Sequence, residues 1–245
     1  MAAPAGDPTG SSPAGTPTTD GVRSIFSRIA GRYDLLNTLM SLGLHRRWRD
    51  MTVRVASPTS GTAALDLCSG TGDLALALAR AGAGRVVGTD FVPEMLEVAR
   101  RKAAAAGSPD GVEFDFADAQ DLPFGDGSFD VVTVGFGVRN LPDRAANFRE
   151  VMRVLRPGGR YLILEFTRPP NKVFRALYHA YLRVVVPALG ALVAGDRDSY
   201  QYLGDSIRRF PDQAALGGEL RAAGFSHIVW RDLAFGIVAL HVATK

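Results

Sequence analysis

A short apolar run, Ala63 to Cys68, enters Ser69-Gly70-Thr71-Gly72-Asp73, and a second apolar run ends at Asp90, 20 residues beyond Gly70. The first run has strand length, and two glycines after it let the backbone turn sharply where a ligand must lie close. Leu74 to Arg80 reads as a helix whose free N–H groups point back at the turn. Asp90 then falls at the end of the next strand, where a carboxylate can accept hydrogen bonds from a ribose diol. This arrangement predicts a site for an adenosine-containing cofactor.

Gly70-x-Gly72-x-x-Ala75 also satisfies the dinucleotide pattern, so a nicotinamide-dependent oxidoreductase is one reading. Three features favour another. Asp66 sits inside the first strand, where an acid suits a cationic amino group rather than a pyrophosphate. Asp118-Ala119 follows a third apolar run, Val112 to Phe116, where an acid can meet an adenine amino group. Leu155-Arg156-Pro157-Gly158-Gly159 ends a helix and turns into a strand, Arg160 to Phe166. As a set these resemble the class I S-adenosylmethionine-dependent methyltransferases over about residues 63–166.

Strand and helix alternate through Phe166, which predicts a parallel sheet covered on both faces. Strands are expected near 63–68, 85–90, 112–116, 129–134, 159–166, 225–232 and 235–243. Helices are expected near 21–55, 72–82, 93–106, 143–155 and 212–223. The link Leu233 to Gly236 is short enough to demand an antiparallel hairpin. The expected fold is therefore α/β and Rossmann-like: seven strands, one of them antiparallel, with helices on both faces.

Residues 1–20 hold four Pro, four Thr and three Gly and no Lys or Arg, too little apolar surface to offset ordering entropy, so they are read as a disordered tail. They lack the basic and apolar regions of a signal peptide. Residues 21–245 are read as one domain with a helical cap (21–55) and a helical lid insertion (171–210). A net charge of +3 with scattered Arg gives a weak attraction to anionic membrane and no aromatic-basic stripe for nucleic acid. The single cysteine, Cys68, excludes an internal disulfide and suits a reducing, cytoplasmic compartment. His45, His179, His227 and His241 show no metal-ligand spacing.

Ile29, Tyr33, Leu36 and Met40 share one helical face near the start of the domain. Gly135 to Asn140 leaves the fourth strand at its C-terminal end, the ligand-binding edge of open α/β sheets, which makes Arg139 and Asn140 functional candidates. From Val184 to Ala194 there are 11 residues without a charge, too few to span a bilayer and interrupted by Pro187. A buried packing helix and an apolar lid over a greasy substrate both fit that segment.

The segments YDLLN, GLHRRW, DLCSGTGD, GVRN, LRPGGR, LEF, DSYQYLGDSIRRFPDQ and GIVALH resemble the ubiquinone/menaquinone biosynthesis C-methyltransferases across nearly all of residues 22–243. The resemblance implies S-adenosylmethionine as cofactor, with contacts on Thr71, Asp90, Asp118 and Ala119, beside the Asp66, Gly70 and Gly72 read from the first strand and its turn. It implies a polyprenyl quinol as substrate, a demethylmenaquinol or alternatively a benzoquinol, reached by visiting the membrane surface. Transfer to ring carbon needs the electron-rich hydroquinone, and no metal. Arg139, Asn140, Tyr33 and Tyr200 are the candidate catalytic residues. Arg139 keeps its proton and suits an oxyanion; Asp34, Asp198, His45 and His179 all stay open as the base. A catalytically silent partner of a quinone-synthesis assembly, and a homodimer, also stay open.

Overall fold

The computed structural model describes residues 18–107, 111–194 and 197–245. Seven strands form one sheet: β1 (Ala63–Leu67), β2 (Arg85–Asp90), β3 (Val112–Phe116), β4 (Phe129–Gly135), β5 (Leu155–Phe166), β6 (Ser226–Leu233) and β7 (Val238–Thr244), in the order β3-β2-β1-β4-β5-β7-β6. β7 alone runs antiparallel to both its neighbours. The order reverses between β1 and β4, so the loops leaving these two strands frame the crevice where such sheets take ligands.

Alternate side chains of each central strand serve opposite faces. On β5, Leu162 and Leu164 face one core with Leu74, Leu78, Leu96 and Phe114. Tyr161 and Ile163 face the other, with Phe148, Val151, Leu216 and Leu220. The first face is covered by α3 (Leu44–Ala56), α4 (Asp73–Arg80) and α5 (Pro93–Ala105), the second by α6 (Arg144–Val154) and α9 (Gln213–Ala222). Both faces of the central strands are dry, which is why β1, β2 and β4 read as nearly unbroken apolar runs.

The N-terminal segment, the cap, consists of α1 (Thr19–Ile29), α2 (Tyr33–Ser41) and α3, and the segment after β5 carries α7 (Lys172–Ala194) and α8 (Arg197–Arg209). The tail requires a correction at its end. Thr18 caps α1 by accepting from the Gly21 N–H, and Thr19 and Asp20 are helical, whereas residues 1–17 lie outside the described residues. An N-cap hydroxyl supported by a first-turn acid outweighs a local Thr-rich composition. Thr18→Ala should therefore weaken α1 by about 1 kcal/mol, seen as faster amide exchange over Val22 to Ile29. Unchanged exchange would contradict the cap.

α7 is two things at once. Tyr178, Leu182 and Val186 pack inward on Tyr200 and Ile207 of α8. Val173, Leu177 and Val184 stand on the surface, each at least 65% exposed. Among the described residues no helix is long and apolar enough to cross a membrane.

Candidate functional site

A cavity of about 490 Å³ opens between the cap, the C-terminal ends of β1 and β4, and the α7–α8 hairpin. Its floor is the glycine turn: Asp66, Cys68, Ser69, Gly70 and Thr71 line it, with Gly135 and Phe136 leaving β4 beside them. Cys68 and Phe136 both hold positive φ (50° and 62°), so the backbone is strained at both sides of the crossover. A narrow cleft joins at Cys68 and is lined by Asp90, Phe91, Asp118, Ala119, Asn140 and, from α1, Thr19 and Val22.

Asp66 is buried in β1 and accepts from Thr133 Oγ1 at 2.6 Å through Oδ1, while Oδ2 makes no close hydrogen bond to a described residue. Burial raises its carboxyl to about 7, against the Thr133 bond. A buried carboxylate oxygen left so on a cavity wall calls for a cationic donor. Asp90 accepts from the Gly70 N–H (2.8 Å) and the Val92 N–H (2.9 Å), so it shapes the turn as well as facing the cleft. Burial raises its carboxyl to about 6. The Asp118-Ala119 segment is fixed from behind: Tyr161 OH donates to Asn147 Oδ1, and Asn147 Nδ2 donates to the Ala119 carbonyl at 2.7 Å.

Two expected cofactor residues have other duties. A Cβ on Gly72 (φ +81°) would lie 2.7 Å from Phe114 and 2.9 Å from Ala99, and Gly72 lines neither space. The absence of a Cβ there is required by the packing of α4 and α5 on β3. Thr71 does line the cavity, but its hydroxyl donates to Asp34 Oδ1 (2.7 Å) and accepts from Lys102 Nζ (3.0 Å). Lys102 also pairs with Asp34 and Asp73, and Asp73 with Arg49, tying α2 and α3 of the cap to the glycine turn.

Arg139 enters the cavity from the turn after β4. Its Nη1 donates to Glu165 Oε1 at 2.8 Å and to the Phe136 carbonyl, and its backbone N–H donates to Glu165 Oε2 at 3.2 Å. The guanidinium lies over Phe166, 5.4 Å from the ring centre. Both side chains of the pair are nearly sealed, at 5% and 2% exposure. Nη2 makes no hydrogen bond to a described residue. Tyr33, Tyr178 and Tyr202 all feel the Arg139 charge, which opposes the rise that burial imposes on their hydroxyls.

Tyr33 and Tyr200 line the same cavity, as do Ile29 and Met40, whereas the side chain of Leu36 lies outside the described residues. Asn140 lines the narrow cleft, and its Oδ1 accepts from Tyr202 OH at 3.1 Å, a residue that lines the cavity holding Arg139. The turn Val138–Asn140 points consecutive side chains in different directions. Of the four candidate bases, Asp34 is spent on Thr71 and Lys102, His179 lines neither space, and the side chain of Asp198 lies outside the described residues. His45 lines the cavity. Glu165 was legible yet unused: an acid inside the apolar strand Tyr161 to Phe166 carries the same signal as Asp66 in β1.

Sequence and structure comparisons place these features among known proteins. The chain is 48% identical to the demethylmenaquinone methyltransferase of Thermus thermophilus, over 90% of this chain and 100% of the relative. It is 46% identical to the demethylmenaquinone methyltransferase of Clavibacter sepedonicus (91% and 90%) and 46% to the ubiquinone/menaquinone biosynthesis C-methyltransferase UbiE of Acidiphilium cryptum (90% and 88%). Among solved structures it resembles the [4+2]-cyclase SpnF in fold, with a TM-score of 0.71 at 20% identity over 94% of this chain and 97% of that one. Residues 16–245 match the ubiE/COQ5 methyltransferase family, and the chain belongs to that family.

Proposed function

We propose that the protein transfers the methyl group of S-adenosylmethionine to a ring carbon of a demethylmenaquinol, forming the menaquinol. The observation that carries this reading is Arg139: a buried, ion-paired guanidinium with one amino group that no described residue engages, facing a large apolar cavity that begins at the glycine turn. The names of the relatives supply the substrate class.

The residues fit the cofactor. Asp66 Oδ2 suits its ammonium, Asp90 its ribose diol and the Asp118-Ala119 segment its adenine, with Gly70 and Gly135 leaving room between them. When bound, S-adenosylmethionine supplies an electrophilic methyl on a sulfonium leaving group. One proton leaves the substrate for water as the methyl group is gained, and Arg139 Nη2 donates to the ring oxygen that carries the charge once its hydroxyl is ionised, while Tyr33 offers a second donor. Phe136, Phe166 and Trp48 exclude water and hold the ring flat.

Two consequences are measurable. Raised carboxyl pKa values mean that Asp66 and Asp90 favour their protonated forms in the folded protein. Their contribution to stability is full below the usual carboxylate range and is lost as pH rises through about 6 to 7. A cationic ligand prefers the ionised acids, so affinity for S-adenosylhomocysteine should rise between about pH 6 and 8. Calorimetry should show a flatter profile in Asp66→Asn; an equally steep one would remove Asp66 from the site.

The second concerns the mouth. Leu42 (88% exposed), Leu177 (65%) and Tyr181 (37%) line the cavity and also stand at the surface, beside Val173 and Val184. These residues suit a membrane surface that keeps the polyprenyl tail while the ring enters. Leu42 has φ +49°, which Asp tolerates. Leu42→Asp should raise KM for a long-tailed quinol in anionic vesicles and leave a tailless analogue unaffected; equal loss for both would contradict this. For the reaction itself, cells lacking the protein should accumulate demethylmenaquinone. An unchanged quinone profile would refute the proposal, and a demethylated benzoquinone would redirect it.

A further inference from the structure

The segment Gly43 to Arg47 has no part in the chemistry above, yet it carries His45 into the cavity wall. His45 is 6% exposed and stands in the first turn of α3. Its tautomer follows from the hydrogen bonds around Ser41. Ser41 Oγ lies 2.6 Å from the Asn37 carbonyl, 2.6 Å from His45 Nδ1 and 3.4 Å from the His45 backbone N. A hydroxyl has one proton and two lone pairs. The Asn37 carbonyl can only accept, so the Ser41 proton goes there. The two lone pairs then face the His45 N–H and Nδ1, so Nδ1 carries the ring hydrogen and Nε2 is bare. Nε2 makes no hydrogen bond to a described residue. Burial, then the charges of Arg49 and Arg46, lower the imidazole to about 4 against Asp73 and Asp34, so the ring stays neutral and Nε2 stays an acceptor at neutral pH.

We infer that His45 selects the oxidation state of the ring: its bare Nε2 accepts a hydrogen bond from a hydroquinone hydroxyl, which a quinone carbonyl cannot give. The inference rests on the aromatic substrate proposed above. Arg139 donates, and both ring forms have oxygens that accept. His45 only accepts, and only the reduced form has a hydrogen for it. A quinone in the cavity therefore sets a carbonyl lone pair against the imidazole lone pair, and a buried polar group left unmet in this way lowers affinity by about tenfold to a hundredfold. The reduced ring is also the only nucleophilic one, so the same histidine keeps the unreactive form from occupying the site.

The experiment measures binding of a short-tailed demethylnaphthohydroquinone and of its quinone, anaerobically, to protein saturated with S-adenosylhomocysteine. The wild type should prefer the hydroquinone. His45→Phe should lower that preference about tenfold or more. Ser41→Ala, which frees the ring to move its hydrogen to Nε2, should lower it in the same direction. Unchanged affinity for S-adenosylhomocysteine and unchanged melting certify the fold of each variant. If His45→Phe does not fold, Ser41→Ala and the nitrogen-15 spectrum of the wild-type imidazole decide, the latter expected to show the hydrogen on Nδ1. A preference unchanged in Ser41→Ala, or the hydrogen on Nε2, overturns the inference. Wild type that methylates the hydroquinone but binds both rings equally overturns it alone; wild type that binds neither ring overturns the substrate proposal with it.

Discussion

Arg139→Ala is expected to cut turnover by about 10²-fold or more, the usual consequence of removing a donor aimed at a developing oxyanion. Affinity for S-adenosylhomocysteine should barely move, because Arg139 does not line the narrow cleft of Asp90 and Asp118, and Asp66, which shares its cavity, is held by Thr133 rather than by Arg139. Arg139→Lys should restore only part of the rate. The guanidinium uses Nη1 on Glu165 and the Phe136 carbonyl while Nη2 makes no hydrogen bond to a described residue, and a point ammonium cannot divide itself in that way. Collapse of cofactor binding in the alanine variant would move Arg139 to the other half of the site.

Glu165→Leu is expected to destabilise the fold by about 3–5 kcal/mol, because it leaves the Arg139 charge buried without a partner. The pair is close to dry, and the carboxylate accepts the Arg139 backbone N–H as well as its side chain. Removing both charges removes the penalty, so Arg139→Leu/Glu165→Leu should recover much of the stability and none of the turnover. Urea denaturation alongside the methyl-transfer assay separates the two effects. A single Glu165→Leu variant as stable as the wild type would show that the pair is solvated in solution.

The cofactor half was legible because it follows from chain-local rules. A strand, a glycine turn and a carboxylate at the end of the next strand are fixed by spacing, so Asp66, Gly70 and Asp90 could be placed from sequence. Gly72 could not. Its missing Cβ answers to Phe114 and Ala99, side chains that a crossover brings back from far along the chain. That Arg139 and Asn140 line different spaces was not legible either, since one turn of tight helix sends neighbouring side chains apart. The boundary of the tail failed because a single capping hydroxyl decides where α1 starts, which composition averages away.

The substrate half is assembled from distant segments, and there single-residue signals underdetermine roles. Asp34 reads as a free acid in YDLLN, yet the fold spends it on Thr71 and Lys102. α7 reads as either core or lid; its two stripes, Tyr178-Leu182-Val186 inward and Val173-Leu177-Val184 outward, make it both.

The most direct test of the account is to incubate the protein anaerobically with methyl-labelled S-adenosylmethionine and a short-tailed demethylnaphthohydroquinone, then locate the label. The expected result is label on a ring carbon, dependent on the reduced substrate and lost in Arg139→Ala. Label on a ring oxygen, transfer to the oxidised quinone at the same rate, or no transfer by a protein that binds both ligands would contradict it.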